Sequence, residues 1–145
     1  MLVLGKGGAG RAVALAFENL GVEPLILSRN DPEWDRVQSI AEQYQFIINA
    51  TGSEDLPIQW DRIPLDTIAI DLRYYPKPKF LKEAERFGHL AVTGLQMLLY
   101  QGSRSFELWT GQPPPLEVME GALMHTVRKF AGEGGELIIS AHKKD

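Results

Sequence analysis

Apolar residues fall along this chain in two alternating rhythms. Short continuous runs occupy residues 1–4, 24–28, 46–50, 67–72 and 90–93. Each has the length of one strand, and the runs at 46–50 and 67–72 are near-continuously apolar, as strands covered on both faces are. Stretches with helical spacing lie between them. After the first strand a glycine-rich turn opens a helix to about Leu20, with Val13, Ala16, Phe17 and Leu20 on one face and Gly21 as its stop. Asp31, Pro32 and Glu33 supply an N-cap, a proline at the first helical position and a first-turn acid for a helix to about Gln43. Residues 79–87 read as a short amphipathic helix closed by Gly88. Two longer helices follow, at about 95–109 and 116–131, separated by Gly111 and the run Pro113-Pro114-Pro115. Strands alternating with helices at this spacing predict an α/β fold with a doubly wound, mostly parallel sheet. One domain is expected over 1–131. Residues 132–145 form a C-terminal tail, read either as an extra edge strand through Leu137-Ile138-Ile139 or as a loose end.

Composition narrows the chemistry. A chain of 145 residues with 44% hydrophobic and 23% charged content is long enough to bury a core. Its formal net charge of -4 and its pI near 5.4 leave no diffuse positive field for nucleic acid or an anionic membrane, so neither is expected as a partner. The absence of cysteine excludes disulfides, thiolate zinc sites and cysteine nucleophiles. His89, His125 and His142 share no metal-ligand spacing. The apolar opening is soon broken by glycine, unlike a signal peptide, and no apolar run approaches the ~20 residues of a membrane span. The expectation is a cytoplasmic domain.

Three constellations carry chemical meaning. Gly5-Lys6-Gly7-Gly8-Ala9-Gly10 sits between the first strand and the first helix, where glycines let the backbone turn tightly and approach a pyrophosphate held by free amides at the helix N-terminus. Lys6 has two readings, a charge beside the phosphates or a side chain pointing into water. Ser28-Arg29-Asn30-Asp31 ends the second strand. A carboxylate at that strand tip accepts from the ribose 2′-hydroxyl of NAD and repels the 2′-phosphate of NADP. A hydroxyl followed by a guanidinium suits the phosphate instead. Asp31 is either a helix cap or a ligand of the ribose. The third constellation runs from Gly94 through Met97 to Gln101 and on to Trp109. Gln101 stands seven residues beyond Gly94 on the same helix face, where an amide can give and accept hydrogen bonds to a polyol. On the residues alone the plainer reading is the stronger: a Met, Leu and Trp stripe is usually core, and a glutamine on a helix is usually solvated.

Taken together, Gly5 to Ala12, Ser28-Arg29-Asn30, Ile48-Asn49-Ala50-Thr51, Asp71 to Pro76 and Gly94 to Gln101 resemble, in order and spacing, the C-terminal NADP-binding domain of the shikimate dehydrogenase family. The resemblance covers about residues 1–130. It implies that Gly5, Lys6, Gly7, Gly8, Ala9 and Gly10 cradle the pyrophosphate, and that Ser28, Arg29, Asn30 and Asp31 meet the adenosine ribose and its phosphate. Asn49, Ala50 and Thr51 would line the cofactor, Leu72 and Gly94 would flank the nicotinamide with Met97 near it, and Tyr74 and Gln101 would touch shikimate. The implied reaction is the NADPH-linked, reversible reduction of 3-dehydroshikimate to shikimate, in aromatic amino-acid biosynthesis.

Departures from the family pattern shape the expectations. Alanine is usual where Lys6 stands, and the basic residue common four positions beyond the arginine is Glu33 here, which weakens the phosphate clamp; Asp31 resembles the family's quinate/shikimate variants, which accept NAD as well, so use of NAD beside NADP is open. The family places its catalytic lysine and aspartate in a domain preceding the first strand, and this chain begins at that strand. No catalytic residue is assigned, and no metal. The chain alone is expected to bind NADP(H) and shikimate only with an N-terminal half. The alternative is a non-catalytic NADP-binding module of an assembly or regulator. An exposed apolar stripe of the last helix, near Leu116, Met119, Leu123 and Val127, would be the surface for a homo-oligomer.

Overall fold

The computed structural model describes residues 1–131; the tail reading for 132–145 lies outside them. Five strands form one parallel sheet: β1 (Leu2–Leu4), β2 (Leu25–Leu27), β3 (Phe46–Asn49), β4 (Ile68–Asp71) and β5 (Leu90–Thr93). Their order is β2-β1-β3-β4-β5. The order reverses direction between β1 and β3, and in open α/β sheets the crevice beyond the strand ends at such a reversal is where ligands bind.

The helices are α1 (Gly8–Glu18), α2 (Val37–Ala41), α3 (Lys79–Arg86), α4 (Leu95–Thr110) and α5 (Leu116–Ala131), with 3-10 turns at Pro32–Arg36 and Trp60–Arg62. The chain divides into two compact units, Met1–Leu98 and Leu99–Asp145. The division falls inside α4, between Leu98 and Leu99.

Alternation within the strands builds two layers of core in the first unit. Leu2, Leu4 and Ile47 pack with Val37 and Ala41 of α2, with Phe80, Leu81 and Ala84 of α3, and with Trp60. Met1, Val3 and Ile48 face the other way, toward Val13 and Phe17 of α1. That two-sided burial is why the central runs are continuously apolar. The outer strands differ: β2 is only half-buried except at Leu27, and β5 alternates exposed and half-buried positions. As the two edge strands they have a neighbour on one side only.

Several local expectations are corrected. The face α1 buries includes Gly10 and Ala14, with Val13 and Phe17 half-buried, whereas Ala16 is exposed and Leu20, beyond the helix end, is 76% exposed. The helix expected from Asp31 to Gln43 is instead a 3-10 turn followed by the five residues of α2. In the second unit the stripe of α5 is open only in part, at Leu116, which is 38% exposed. Val127 is buried, Met119 and Leu123 are half-buried, and the Met119 methyl lies 3.4 Å from the position a Cβ on Gly102 would take. Val118 and Phe130 are the more exposed apolar residues of that helix. The heptad-like spacing located the stripe but not which way it faced.

Candidate functional site

The turn after β1 is held open for a ligand by backbone geometry. Gly5 has φ +115°, a region that side chains with a Cβ avoid, and a Cβ there would stand 2.8 Å from the Ala50 carbonyl. Its amide donates to the Leu27 carbonyl at 2.7 Å, and the Ala50 amide donates to the Leu4 carbonyl at 2.8 Å. These bonds fix the ends of β1, β2 and β3 around one crevice. α1 begins there with Gly7 as its N-cap, no side-chain cap and no acid in its first turn, so the first amides of the helix and its positive dipole end stand free for an anion.

A cavity of about 400 Å³ opens at this point, lined by Gly5, Lys6, Gly7, Ser28, Arg29, Asn30, Ala50 and Thr51 among the residues the sequence singles out. The volume is in the range of small-molecule and cofactor sites. Sequence reasoning did not find the rest of its wall: Trp34, Ser53, Asp55, Leu56 and Pro57. Trp34 was read only as part of a helix, and residues 53–57 carry no motif. Their one signal was position, directly after the strand at the reversal point.

Asn49 supports this wall without lining it. It is buried, its amide donates to Asp71 at 2.7 Å and to the Ser53 carbonyl at 3.2 Å, and its oxygen accepts from the Thr51 amide and hydroxyl at 3.0 and 2.7 Å. Asp71, fully buried at the end of β4, also accepts from Arg73 through its backbone amide, Nε and Nη2 at 2.8 to 3.0 Å. Arg73 then reaches the carbonyls of Gly52 and Ser53 and the Glu54 carboxylate. Its hydrogen bond to Asp71, more than any other influence, raises the guanidinium above its ordinary pKa. Glu54 in turn accepts from the Lys79 amide at the start of α3, which more than any other contact holds its carboxyl below the usual range. The loop after β3 is thereby tied at several points to β4 and α3.

The second strand tip is shaped by Asp31. Its carboxylate does not cap the following helix. One oxygen accepts from the Ser28 amide at 2.6 Å and hydroxyl at 3.0 Å, and the other takes Lys6 Nζ at 2.5 Å. The Lys6 hydrogen bond, then the Ser28 amide, lowers the Asp31 pKa. Lys6 thus lines the cavity beside the glycine turn while its ammonium pairs with the Asp31 carboxylate. Arg29 is exposed on the cavity wall, and among the described residues no hydrogen bond or ion pair engages its guanidinium.

The remaining sequence candidates lie elsewhere. Gly8 and Ala9 are exposed in the first turn of α1, and Gly10 is buried where a Cβ would collide with the Gly5 carbonyl oxygen. Leu72 and Gly94 are brought together at the ends of β4 and β5: the Gly94 amide donates to the Arg73 carbonyl, and a Cβ on Gly94 would sit 1.8 Å from the Leu72 oxygen. Tyr74 and Met97 are exposed near 40%, so Met97 is not core. Gln101 is exposed on α4 and belongs to the second unit. Among the described residues no group of His, Cys, Asp or Glu is placed to hold a metal, and no helix is long and apolar enough to cross a membrane.

Comparison with known proteins places these features in a wider set. The family profile of the shikimate 5'-dehydrogenase C-terminal domain matches residues 94–124. The shikimate dehydrogenase (NADP(+)) of Crocosphaera subtropica is 30% identical over 158 residues, covering 87% of this chain and 55% of that protein. That of Thermus thermophilus is 38% identical over 140 residues, covering 83% of this chain and 52% of that protein. Among solved structures, the Thermus thermophilus shikimate 5-dehydrogenase in complex with NADP(H) and shikimate superposes with a TM-score of 0.71 at 36% identity, over 86% of this chain and 54% of that one. The ligand-free 5-ketofructose reductase of a Gluconobacter strain gives 0.67 at 25% identity, over 86% and 55%. The chain spans about half the length of the curated relatives it matches.

Proposed function

Since the chain is a relative of the shikimate dehydrogenases in sequence and fold, matched in part by the profile of their C-terminal domain, we propose that it is the NADP(H)-binding part of such an oxidoreductase. The observation that carries this reading is the cavity at the strand reversal, where a glycine turn, an uncapped helix N-terminus and Arg29, unengaged among the described residues, converge. The residues fit the cofactor. The Gly5–Ala50 approach leaves room only for backbone, Gly7, Gly8 and Ala9 offer amides to the pyrophosphate, and Ser28, Arg29 and Asn30 meet the adenosine ribose and its 2′-phosphate. Ala50 and Thr51 line the path beyond, positioned by Asn49. Leu72, Gly94 and Met97 take the nicotinamide side, and Tyr74 the shikimate side. NADPH, held there, would supply the hydride for reduction of 3-dehydroshikimate. A cytoplasmic place in aromatic amino-acid biosynthesis follows from the same reading.

A second reading, a module that holds NADP without turnover, draws on the charges of the cavity. Lys6 and Asp55, which line it, are both held in ion pairs, with Asp31 and Lys79. Neither stands on the nicotinamide side, where Leu72, Gly94 and Met97 carry no acid or base for the hydroxyl proton, and general acid/base catalysis contributes about 100- to 10,000-fold. These 145 residues are therefore expected to bind NADP(H) yet give no measurable oxidation of shikimate when mixed with NADP and followed by absorbance of the reduced cofactor. Steady turnover at rates usual for enzymes would refute that expectation and require a catalytic group within this chain.

A further inference from the structure

The Ser28 to Asp31 segment closes on itself. The Asp31 amide donates to the Ser28 carbonyl at 3.0 Å, and the Asp31 carboxylate accepts from the Ser28 amide and hydroxyl. A residue shortly beyond the end of the strand thus returns its charge to the strand tip, where a carboxylate selects an unphosphorylated ribose and repels a 2′-phosphate. Left to itself, Asp31 would set this site toward NAD and offset Arg29 beside it.

Lys6 prevents that. It projects from the glycine turn after β1, crosses to the tip of β2, and places Nζ 2.5 Å from the Asp31 oxygen that Ser28 leaves open. The Asp31 side chain is only 19% exposed, and each of its oxygens already has a donor. With Lys6 and Asp31 cancelling, the charge left at the tip is that of Arg29. We propose that Lys6 is a cofactor-selecting residue, which neutralises Asp31 so that the adenosine end of the cavity admits a 2′-phosphate. The inference rests on reading the cavity as a dinucleotide site. It assigns a role to the lysine that interrupts the glycine motif, and it explains how an aspartate and an arginine share one strand tip.

Calorimetric titration of the whole chain with NADP+ and with NAD+ tests it, using wild type, Lys6→Met, Asp31→Asn and the double variant. Lys6→Met is expected to weaken NADP+ about tenfold, the size of effect of exposing one like charge near a phosphate in a solvated cleft. It should leave NAD+ unchanged or tighter. Adding Asp31→Asn to Lys6→Met should restore most of the lost NADP+ affinity, because the charge that Lys6 masks is then gone. An equal loss for both dinucleotides would assign Lys6 to the pyrophosphate they share and overturn the proposal. So would an unchanged preference, or a double variant that fails to recover. In each of these cases wild type still binds NADP+ and the cavity reading stands; wild type that binds neither dinucleotide would remove both.

Discussion

Replacing Gly94 with alanine is expected to lower the melting temperature by about 10 °C, the shift that roughly 3 kcal/mol of overpacking produces in a domain of this size. A Cβ built at this position lies 1.8 Å from the Leu72 carbonyl oxygen and 2.5 Å from its carbon. The obstacle is backbone at the end of a central ladder, since Leu72 follows β4 and its amide donates to the Asn49 carbonyl. No rotamer relieves the contact. The strands must part or the start of α4 must lift. Gly8→Ala is the control, because a Cβ there meets nothing within 4 Å, and it should melt with the wild type. A Gly94→Ala protein that also melts with the wild type would show that the β4 and β5 ends yield easily, and the tight approach of Leu72 and Gly94 would lose its meaning as a built feature.

Arg29→Ala should weaken NADP binding by roughly 10- to 150-fold and scarcely alter NAD, the span given by about 1.5 to 3 kcal/mol for hydrogen bonds to a charged group. Arg29 is exposed on the cavity wall, and among the described residues nothing engages its guanidinium, so its removal breaks no described contact and the fold should be untouched. The chain as a whole is acidic and supplies no background field to replace it. Glu33, exposed one turn later, adds no second cation, so the starting preference for NADP is expected to be modest. Titration of both dinucleotides into both proteins measures this. An equal loss for NAD and NADP would assign Arg29 to the adenosine or to the structure of the loop, against a phosphate role.

The elements were legible because burial on both sides of a central strand leaves a mark in the sequence. The runs at 46–50 and 67–72 became β3 and β4 within one residue at either end, and the glycine turn fell between β1 and α1. Strand order was not legible, since continuous apolar runs do not say which neighbour they take. Order is what puts Ala50 against Gly5 and makes the crevice. The site was legible where it is local, in Gly5 to Gly7, Ser28 to Asn30 and Ala50-Thr51. It was hidden where it depends on residues far apart in the chain. The Lys6–Asp31 pair spans 25 positions, and Arg73 reaches back 20 positions to Ser53, contacts that no periodicity records. Asp31 shows the limit of local signals. Aspartate before proline has the form of a helix cap, yet its carboxylate found stronger donors in a lysine and a strand-tip amide than in the short 3-10 turn it precedes.

The central claim, that a dinucleotide phosphate occupies the crevice between the ends of β1, β2 and β3, is tested most directly by amide chemical-shift mapping of the whole protein during addition of NADP+. Saturable shifts are expected at Gly5, Gly7, Gly8 and Ala9 and at Ser28, Arg29 and Asn30, with the amides of residues in α3 outside the cavity lining, such as Lys82 and Arg86, unmoved. An unchanged spectrum at millimolar NADP+, or shifts that saturate elsewhere while the glycine turn stays still, would contradict the account.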